Sequence, residues 1–383
     1  MNMRIESPSA MFFSTPGRTE ISGNHTDHQH GCVLAAAVNL HMIAEVVALD
    51  DSAIIIHSEG YPTVEIDLND LVAHPEETNT TKALVRGVAA AFAQRGAKMK
   101  GFMARVHSNV LPGSGLSSSA AFEVLMGTIM NELYFDNKLT PVEIAQIGQW
   151  AENVYFGKPC GLMDQTASSV GGMVFIDFAD PKTPTVEKLN FDFASANHAL
   201  CIIDCGADHA NLTGEYAAIP GELKELCALF GKNVLRDIPE EAFFAKLPQI
   251  RHKVSDRAIL RAIHFYEENK RVQMQVHALK ENDFDTFLWL VKESGRSSWM
   301  YLQNIIPTGE IQHQNMALAL AMCDLLLADR GAFRVHGGGF AGTVQAFVPT
   351  DMLDAFKSGM EAVFGNNSCH VLSVENKGGN RTK

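Results

Sequence analysis

A glycine- and serine-rich string at residues 112–121, PGSGLSSSAA, constrains the fold of this chain more than any other feature. It follows a strand-like run, 101–108, and it opens a helix whose apolar stripe extends over residues 122–133. Glycines allow a backbone to approach a ligand closely, and the first turn of a helix presents unpaired N–H groups at the positive end of the helix dipole. A strand, a Gly/Ser loop and a helix in this order predict a phosphate-binding cradle.

Two well-known nucleotide-binding patterns do not fit this string. A P-loop would place Lys followed by Ser or Thr after the glycines, and a dinucleotide-binding turn would place glycine where this chain has Ser118. The remaining alternative is a plain surface loop before a capped helix. Three serines and two small alanines at one helix entrance favour the phosphate site.

A second glycine string, at residues 337–342, matches the GxGxxG pattern. In a dinucleotide-binding fold a helix follows this pattern, but residues 343–348 are strand-like. The sequence therefore predicts a tight turn between two strands. It leaves open whether the backbone of this turn approaches a ligand or whether the glycines only shape the turn.

Composition limits the partners that the protein can bind. The formal net charge of −13 argues against a sequence-independent grip on nucleic acid or on an anionic membrane. The seven cysteines show no CxxC spacing, no secretory leader is visible, and the longest apolar stretch, 316–327, is too short to span a membrane. We expect a cytoplasmic protein that holds any phosphate through local backbone amides, a few cations or a metal.

The order of the predicted elements indicates the fold class. Strand-like runs dominate the first part of the chain, whereas residues 215–329 are mainly helical. We predict an α+β protein with a β-rich N-terminal lobe, residues 1–175, and a helix-rich C-terminal lobe, residues 176–383. Only residues 377–383 are predicted to form a loose tail.

One helix start is predicted in detail. Thr140 supplies a capping hydroxyl and Pro141 suits the first helical position. The buried stripe of this helix is predicted to consist of four apolar residues, Ile144, Ile147, Ala151 and Val154, with Glu152 at its edge.

Four segments match, in order along the chain, the motifs of one enzyme family. They are residues 16–28 (PGRTEISGNHTDH), the string 112–121, residues 151–165 (AENVYFGKPCGLMDQ) and the string 337–342. With these motifs the chain resembles the GHMP small-molecule kinases and, among them, the galactokinase family. The resemblance implies the two-lobed GHMP kinase fold, with an antiparallel sheet in the C-terminal lobe and a site for ATP and Mg²⁺ between the lobes.

The resemblance also implies a reaction, the ATP-dependent phosphorylation of the anomeric hydroxyl of galactose. Asp164 matches the catalytic aspartate that takes the proton of this hydroxyl, and Arg18 would stabilise charge on the attacking and transferring oxygens. Ser119 and Glu152 match the metal-coordinating positions, and one hydroxyl with one carboxylate suits Mg²⁺. Whether Asp164 takes the proton fully or mainly orients the hydroxyl is left open. The implied ATP-binding residues are Gly113, Ser114, Gly115, Leu116, Ser117, Ser118 and Ser119.

The implied sugar-binding residues are Asn24, His25, Thr26, Asp27, Asp164 and Tyr216. For Tyr216, partly buried packing is the alternative. The imidazoles of His25, His28 and His30 would form a transition-metal site only on a rigid element, and this segment is predicted to be a loop. We therefore favour a sugar-binding or structural role for His25 and expect His28 and His30 to be solvated.

Two positions depart from the galactokinase pattern. The family usually has glutamate at the position of Asn24 and often has arginine at the position of Asp208. Because Asn24 can donate to Asp208, we expect galactose to remain the substrate, with its C6 end contacted differently. A uronate is disfavoured, because Asp208 would repel its carboxylate.

Two other functions stay open for this sequence. One is a GHMP kinase for a related sugar, such as a galactosamine derivative, a uronate or another hexose. The other is a non-catalytic sugar sensor, against which the presence of Asp164, Glu152 and Ser119 argues. In each case we expect a monomer whose ligands are a small sugar and ATP.

Overall fold

The computed structural model describes residues 10–110, 115–158, 160–206 and 212–383. Within these ranges the strands are β1 (Met11–Ser22), β2 (Cys32–Ala48), β3 (Ala53–Ser58), β4 (Val64–Asp67), β5 (Phe102–Ser108), β6 (Met173–Asp177), β7 (Thr185–Leu189), β8 (His198–Asp204), β9 (Ala332–His336), β10 (Thr343–Pro349), β11 (Cys369–Leu372) and β12 (Asn380–Arg381). The helices are α1 (Thr81–Gln94), α2 (Ser118–Tyr134), α3 (Pro141–Ala151), α4 (Met163–Val170), α5 (Thr213–Ala228), α6 (Glu240–Ile250), α7 (Asp256–Lys280), α8 (Phe284–Ser297), α9 (Asn315–Leu327) and α10 (Leu353–Phe364).

The described strands form two sheets. Together with the helices they give the predicted α+β architecture. The larger sheet has the order β12-β1-β2-β5-β3-β4, and β6 and β7 extend it from β2. All its pairings are antiparallel except that of β3 with β5. The smaller sheet, β11-β8-β10-β9, is antiparallel throughout.

Strand β1 changes register with β2 at two places near the predicted sugar motif. The irregularities lie between Pro16 and Arg18 and between Glu20 and Ser22. Bulges of this kind bend a strand and redirect its side chains, and they are common beside active sites. Residues 18–20 therefore form a short regular segment between two kinks.

Helices α2 and α3 bury the stripes that the sequence predicted, with one exception. Leu125, Ile129 and Ile147 are at most 1% exposed, and each such burial contributes about 1.5–3 kcal/mol. The capping box of Thr140 is present. Val154 was predicted to be buried but is 50% exposed, because a π-helical turn over Glu152–Phe156 shifts the face after α3.

The second glycine string forms the predicted turn, since it joins β9 to β10. The boundary between lobes 1–175 and 176–383 stays a prediction, and β7 and β12 from the predicted C-terminal lobe pair within the larger sheet. None of the helices in the described ranges combines the length and the apolar character needed to cross a bilayer.

The prediction of a loose C-terminal tail was wrong. Strand β12 pairs with β1, and Thr382 N–H donates to the carbonyl of Phe12. Gly379 N–H donates to the carbonyl of Ser168, in the last turn of α4. The tail therefore closes the edge of the larger sheet and holds the end of α4.

Replacing Gly378 by alanine is expected to destabilise the protein by about 1–3 kcal/mol, because no space exists for the side chain. A Cβ at this position would lie 1.9 Å from the backbone oxygen of Ser169. Urea unfolding measures the loss, and carboxypeptidase digestion should shorten the variant faster. Gly221→Ala is the control, since its Cβ would meet nothing within 4 Å. Equal stability of the two variants would contradict the docked tail.

Candidate active site

A bidentate ion pair joins strand β1 to helix α4. Arg18 donates from Nε to Asp164 Oδ1 at 2.7 Å and from Nη2 to Asp164 Oδ2 at 2.5 Å. Its third nitrogen, Nη1, donates to the carbonyl of Gly115. The Arg18 side chain is 9% exposed and that of Asp164 is 29% exposed, so the carboxylate remains accessible from one side while its geometry is held.

The start of helix α2 contributes a third group to this pair. Ser117 Oγ donates to Asp164 Oδ2 at 2.7 Å. Ser117 has a φ of 53°, in the left-handed region that non-glycine residues avoid, and its side chain does not cap the helix. Strain of this kind costs about 1–3 kcal/mol and is typical of functional sites. Here it accompanies a hydroxyl that contacts Asp164 instead of the helix.

These contacts determine the charge state of Asp164. Burial alone would raise the pKa of Asp164, but the charge of Arg18 and the hydrogen bonds from Arg18 and Ser117 outweigh it. The pKa of Asp164 therefore lies below its ordinary value, and the group is ionised at neutral pH. A weakly basic carboxylate suits the orientation of a hydroxyl better than early proton removal.

A cavity of about 200 Å³ lies beside the pair. It brings together residues from β1, from the turn after β1, from the segment before α4 and from the turn between β9 and β10. They are Arg18, Glu20, Asn24, His25, Asp27, Cys160, Gly161, Met163, Asp164, Gly337 and Gly338. One small cavity is thus lined by Asp164 and by four other residues that the sequence motifs marked as catalytic or sugar-binding.

Asp27 is the second carboxylate in this cavity that the sequence predicted. Its Oδ1 accepts the N–H of His28 at 2.8 Å. A Cβ on Gly161 would lie 1.9 Å from Asp27 Oδ2, so a side chain there would displace the Asp27 carboxylate. Burial first, and then the nearby charge of Asp164, raise the pKa of Asp27 to about 6. The cavity thus pairs one strongly acidic carboxyl with one weakly acidic carboxyl.

The sugar contacts predicted for Asn24 and Thr26 stay predictions, and both residues make hydrogen bonds within the protein. Asn24 Nδ2 donates to Glu20 Oε1 at 3.1 Å and to Gly337 O at 2.5 Å, so both amide hydrogens have acceptors. Its Oδ1 accepts from Asn304 Nδ2 at 2.7 Å. Thr26 is fully buried, and its hydroxyl donates to backbone carbonyls within the turn. Asn24 shapes the cavity wall, and Thr26 holds the turn together.

His25 and Tyr216 both contact the second glycine turn. His25 Nε2 lies 2.9 Å from the carbonyl oxygen of Gly338, and Tyr216 donates its hydroxyl to the carbonyl of Gly339 at 2.8 Å. A Cβ on Gly338 would meet the Tyr216 ring at 2.7 Å. His25 lines the cavity, whereas Tyr216 supports the turn whose glycines line it. A contact between Tyr216 and the sugar stays a prediction.

His28 is half-buried against another imidazole, whereas the sequence predicted a solvated side chain. Its Nε2 lies 3.4 Å from His25 Nδ1, and the two rings meet edge to face. Burial, followed by the charge of His25, lowers the pKa of His28 to about 3, and burial lowers the pKa of His25 to about 4. Both imidazoles are therefore neutral at pH 7.

A larger cleft of about 650 Å³ lies at the start of α2. Ser118 and Ser119 line it, one and two residues after the serine that contacts Asp164. Sequence reasoning did not find most of the remaining wall, because its residues come from several strands, helices and loops and carry no motif. The wall includes Met42, Ser58, Glu59, Tyr61, Asn79, Thr81, Leu84, Val106, His107, Ser108, Val110, Phe122 and Phe156.

The Gly/Ser loop is only partly described. Gly113 and Ser114, both predicted to bind ATP, and Asp208, predicted to pair with Asn24, lie outside the described residues. The side chain of Leu116 is fully buried and its carbonyl accepts the N–H of Arg18. Leu116 could therefore meet a ligand only through its own N–H. Gly115 has a φ of 71°, and a Cβ there would meet Thr343 Oγ1 at 2.9 Å, so this position requires glycine.

Glu152 belongs to an oxygen-rich cluster behind the start of helix α2. Gln165 Nε2 donates to Glu152 Oε2 at 3.0 Å and to Glu123 Oε2 at 2.9 Å. Glu123 stands one helical turn after Ser119, and its Oε1 is buried without a hydrogen-bond partner. Burial, followed by the charge of Glu152, raises the pKa of Glu123 well above its ordinary value. Hard oxygen donors and an unpaired carboxyl oxygen are compatible with a bound divalent cation.

The described residues offer no complete metal cage at this cluster or elsewhere. Nowhere in the described ranges do three His, Cys, Asp or Glu side chains converge around one point. A cation near Ser119 and Glu152 would need waters or ligand oxygens to complete its shell, which is the usual arrangement for Mg²⁺.

Replacing Asp27 by asparagine is expected to stabilise the protein at pH 7.5 by about 1–2 kcal/mol. The folded-state pKa of about 6 exceeds the ordinary value of 3.8, so wild-type Asp27 loses a proton that the folded state prefers to keep. Its unfavourable contribution grows as pH rises from about 4 to above 6. Urea unfolding at pH 4.5 and 7.5 measures it: the gain should be small at the lower pH. An equal gain at both pH values would contradict the raised pKa.

Comparisons with known proteins agree with this site. The family model for the GHMP kinases N terminal domain matches residues 83–172, and the galactokinase galactose-binding signature matches residues 4–47. The described part of the signature match holds Arg18, Asn24, His25 and Asp27. The GHMP match holds the Gly/Ser loop and Asp164.

Whole-chain comparisons extend this likeness. A galactokinase of Streptomyces coelicolor is 30% identical over 92% of this chain and 88% of its own length. One of Haemophilus influenzae is 32% identical over 89% and 86%. The crystal structure of Lactococcus lactis galactokinase complexed with galactose has a TM-score of 0.83 at 23% identity, covering 97% of this chain and 95% of that one. The fold, the motifs and these relatives together show that this chain belongs to the galactokinase family of the GHMP kinases.

Proposed function

We propose that this protein transfers the γ-phosphoryl group of ATP to the anomeric hydroxyl of galactose, which yields galactose 1-phosphate. The observation that carries the proposal is the position of three consecutive serines at the start of α2. Ser117 contacts Asp164 in the small cavity, and the next two residues, Ser118 and Ser119, line the large cleft. A sugar in the small cavity and a nucleotide in the large cleft would meet at the start of α2.

The larger cleft suits ATP in size and chemistry. Its walls combine apolar side chains such as Met42, Leu84 and Phe122 with a few polar groups, as is usual for sites that bind a planar base. Its inner end is the first turn of α2, where unpaired backbone N–H groups favour phosphate. We assign the phosphates to residues 113–119 and the adenosine to the outer part of this cleft.

Asp164 and Arg18 act on the reacting hydroxyl in this proposal. Asp164 accepts a hydrogen bond from the anomeric hydroxyl and aligns its oxygen toward the γ-phosphorus. Since Arg18 keeps the pKa of Asp164 low, the proton moves to Asp164 late, after bonding to phosphorus has acidified it. Arg18, held by Gly115 O and Asp164, offers positive charge to the oxygens that become more negative.

Ser119 and Glu152 would hold Mg²⁺ with the nucleotide, and Glu123 and Gln165 would orient Glu152. When bound, the ion neutralises charge on the β- and γ-phosphates. The unpaired oxygen of Glu123 supports the presence of a cation nearby.

The sugar cavity favours a neutral sugar. Three carboxylates, those of Glu20, Asp27 and Asp164, line it together with one cation, Arg18. A uronate would add a fourth carboxylate, and like charges in a confined site cost several kcal/mol. Galactose therefore fits better than galacturonate, although the fold by itself does not choose among neutral hexoses.

A coupled ADP-release assay against a panel of sugars tests the proposed reaction. Galactose should support turnover, and galacturonate should have a kcat/KM lower by at least about tenfold, because of charge repulsion. N-acetylgalactosamine and glucose complete the panel. A clear preference for another sugar would replace galactose in the proposal, and sugar binding without ADP release would identify a sensor.

Replacing Asp164 by alanine should lower kcat by about 10²–10⁴-fold, because the reacting hydroxyl loses its acceptor. Sugar affinity measured by calorimetry should fall much less. Asp164→Asn keeps the shape of the side chain beside Arg18. A loss of activity in this variant therefore cannot be attributed to misfolding. Asp177→Ala is the matched control, since it breaks an Asp–Arg pair with Arg236 outside the cavity. Full activity of both Asp164 variants would refute the assignment.

A further inference from the structure

Glu20 occupies a position in the sugar cavity that neither the motifs nor the comparisons assign. It lies on β1 two residues after Arg18, within the regular segment between the two register shifts. Alternate residues of a strand point to the same face, about 6.6 Å apart. Both side chains line the cavity. Glu20 therefore faces a part of the sugar that lies one two-residue repeat of the strand away from the reacting hydroxyl.

One oxygen of the Glu20 carboxylate is held firmly. Arg334 Nη2 donates to Oε1 at 2.8 Å, and Asn24 Nδ2 donates to the same atom at 3.1 Å. Arg334 is fully buried, and its Nη1 donates to the backbone carbonyl of Ile21 at 2.9 Å. The carboxylate therefore has a defined orientation, because its partners are themselves held in place.

The other oxygen of Glu20 is available. Within the described residues, no group donates a hydrogen bond to Oε2, although the residue is only 4% exposed. Burial raises the pKa of Glu20 despite the opposing charge of Arg334, as expected of a carboxylate that lacks a donor on one oxygen. A carboxylate can only accept hydrogen bonds, so its natural partner in this cavity is a sugar hydroxyl.

We propose that Glu20 Oε2 accepts a hydrogen bond from a hydroxyl on the side of the sugar ring opposite the reacting hydroxyl. Glu20 thereby selects sugars that carry a donor at that position. Asn24 supports this contact indirectly, because its amide helps to fix Oε1. This inference rests on the proposed sugar-kinase function.

The test combines deoxy sugars with a Glu20 variant. For wild type, kcat/KM is measured with galactose, 2-deoxygalactose, 4-deoxygalactose and 6-deoxygalactose. Loss of a hydroxyl that donates to a charged acceptor should lower kcat/KM by about 10- to 100-fold for the 4-deoxy or the 6-deoxy sugar. In Glu20→Gln, a neutral group bonds that hydroxyl less strongly, so the same penalty should shrink at least about fivefold.

A purely structural role for Glu20 would give a different pattern. It would lower the activity of Glu20→Gln on all four sugars in equal proportion and leave the deoxy penalties unchanged, and that result overturns the inference. Glu222→Gln is the matched control, because Glu222 pairs with the buried Arg261 away from the cavity. It should lose thermal stability as Glu20→Gln does while keeping the wild-type penalties.

Calorimetry separates a failure of this inference from a failure of the proposed reaction. If wild type releases no ADP with any of these sugars, the proposed reaction fails, and the same comparison is made with dissociation constants. A 4-deoxy or 6-deoxy penalty in affinity that shrinks in Glu20→Gln would still support the contact. The absence of any such penalty, or of sugar binding altogether, would overturn it.

Discussion

The ion pair between Arg18 and Asp164 connects three parts of the chain that are far apart in sequence. Arg18 comes from a strand of the larger sheet, Asp164 from the first turn of α4, and Ser117 and Gly115 from the entrance of α2. Each contact constrains the other two, because the guanidinium donates in fixed directions and the carboxylate has two oxygens to satisfy. Asp164 and Arg18 line the small cavity, and the residues that follow Ser117 line the large cleft, so the proposed chemistry depends on these contacts.

Because of the same ion pair, two carboxyl groups of the cavity differ in pKa. Asp164 sits beside Arg18 and stays ionised, whereas Asp27 lies farther from any compensating cation and has a pKa of about 6. Groups of one chemical type thus acquire different roles from their surroundings. An ionised Asp27 lowers the stability of the folded protein at neutral pH. Such a loss of stability is common where a site is arranged for binding.

Hydrogen bonds within the protein explain why one residue of the cavity was overlooked in the sequence. The motif pointed to Asn24, yet its amide donates twice and accepts from Asn304 within the protein. Glu20 lies within the motif at residues 16–28 but was assigned no role there, and one of its oxygens has no donor among the described residues. A sequence gives the type of each group, whereas the number of its hydrogen bonds already used depends on partners such as Arg334 and Asn304, hundreds of residues away.

The sequence by itself determined the family, the Gly/Ser loop before α2, the capped start of α3 and the turn between β9 and β10, because these follow from local backbone preferences and short-range patterns. It also named Arg18, Asp27 and Asp164. The tertiary structure decided what no local pattern encodes: the docked tail, the π-helical turn that exposes Val154, the walls of the large cleft and the free oxygen of Glu20. These features arise from contacts between distant segments, where packing and electrostatics override local preference.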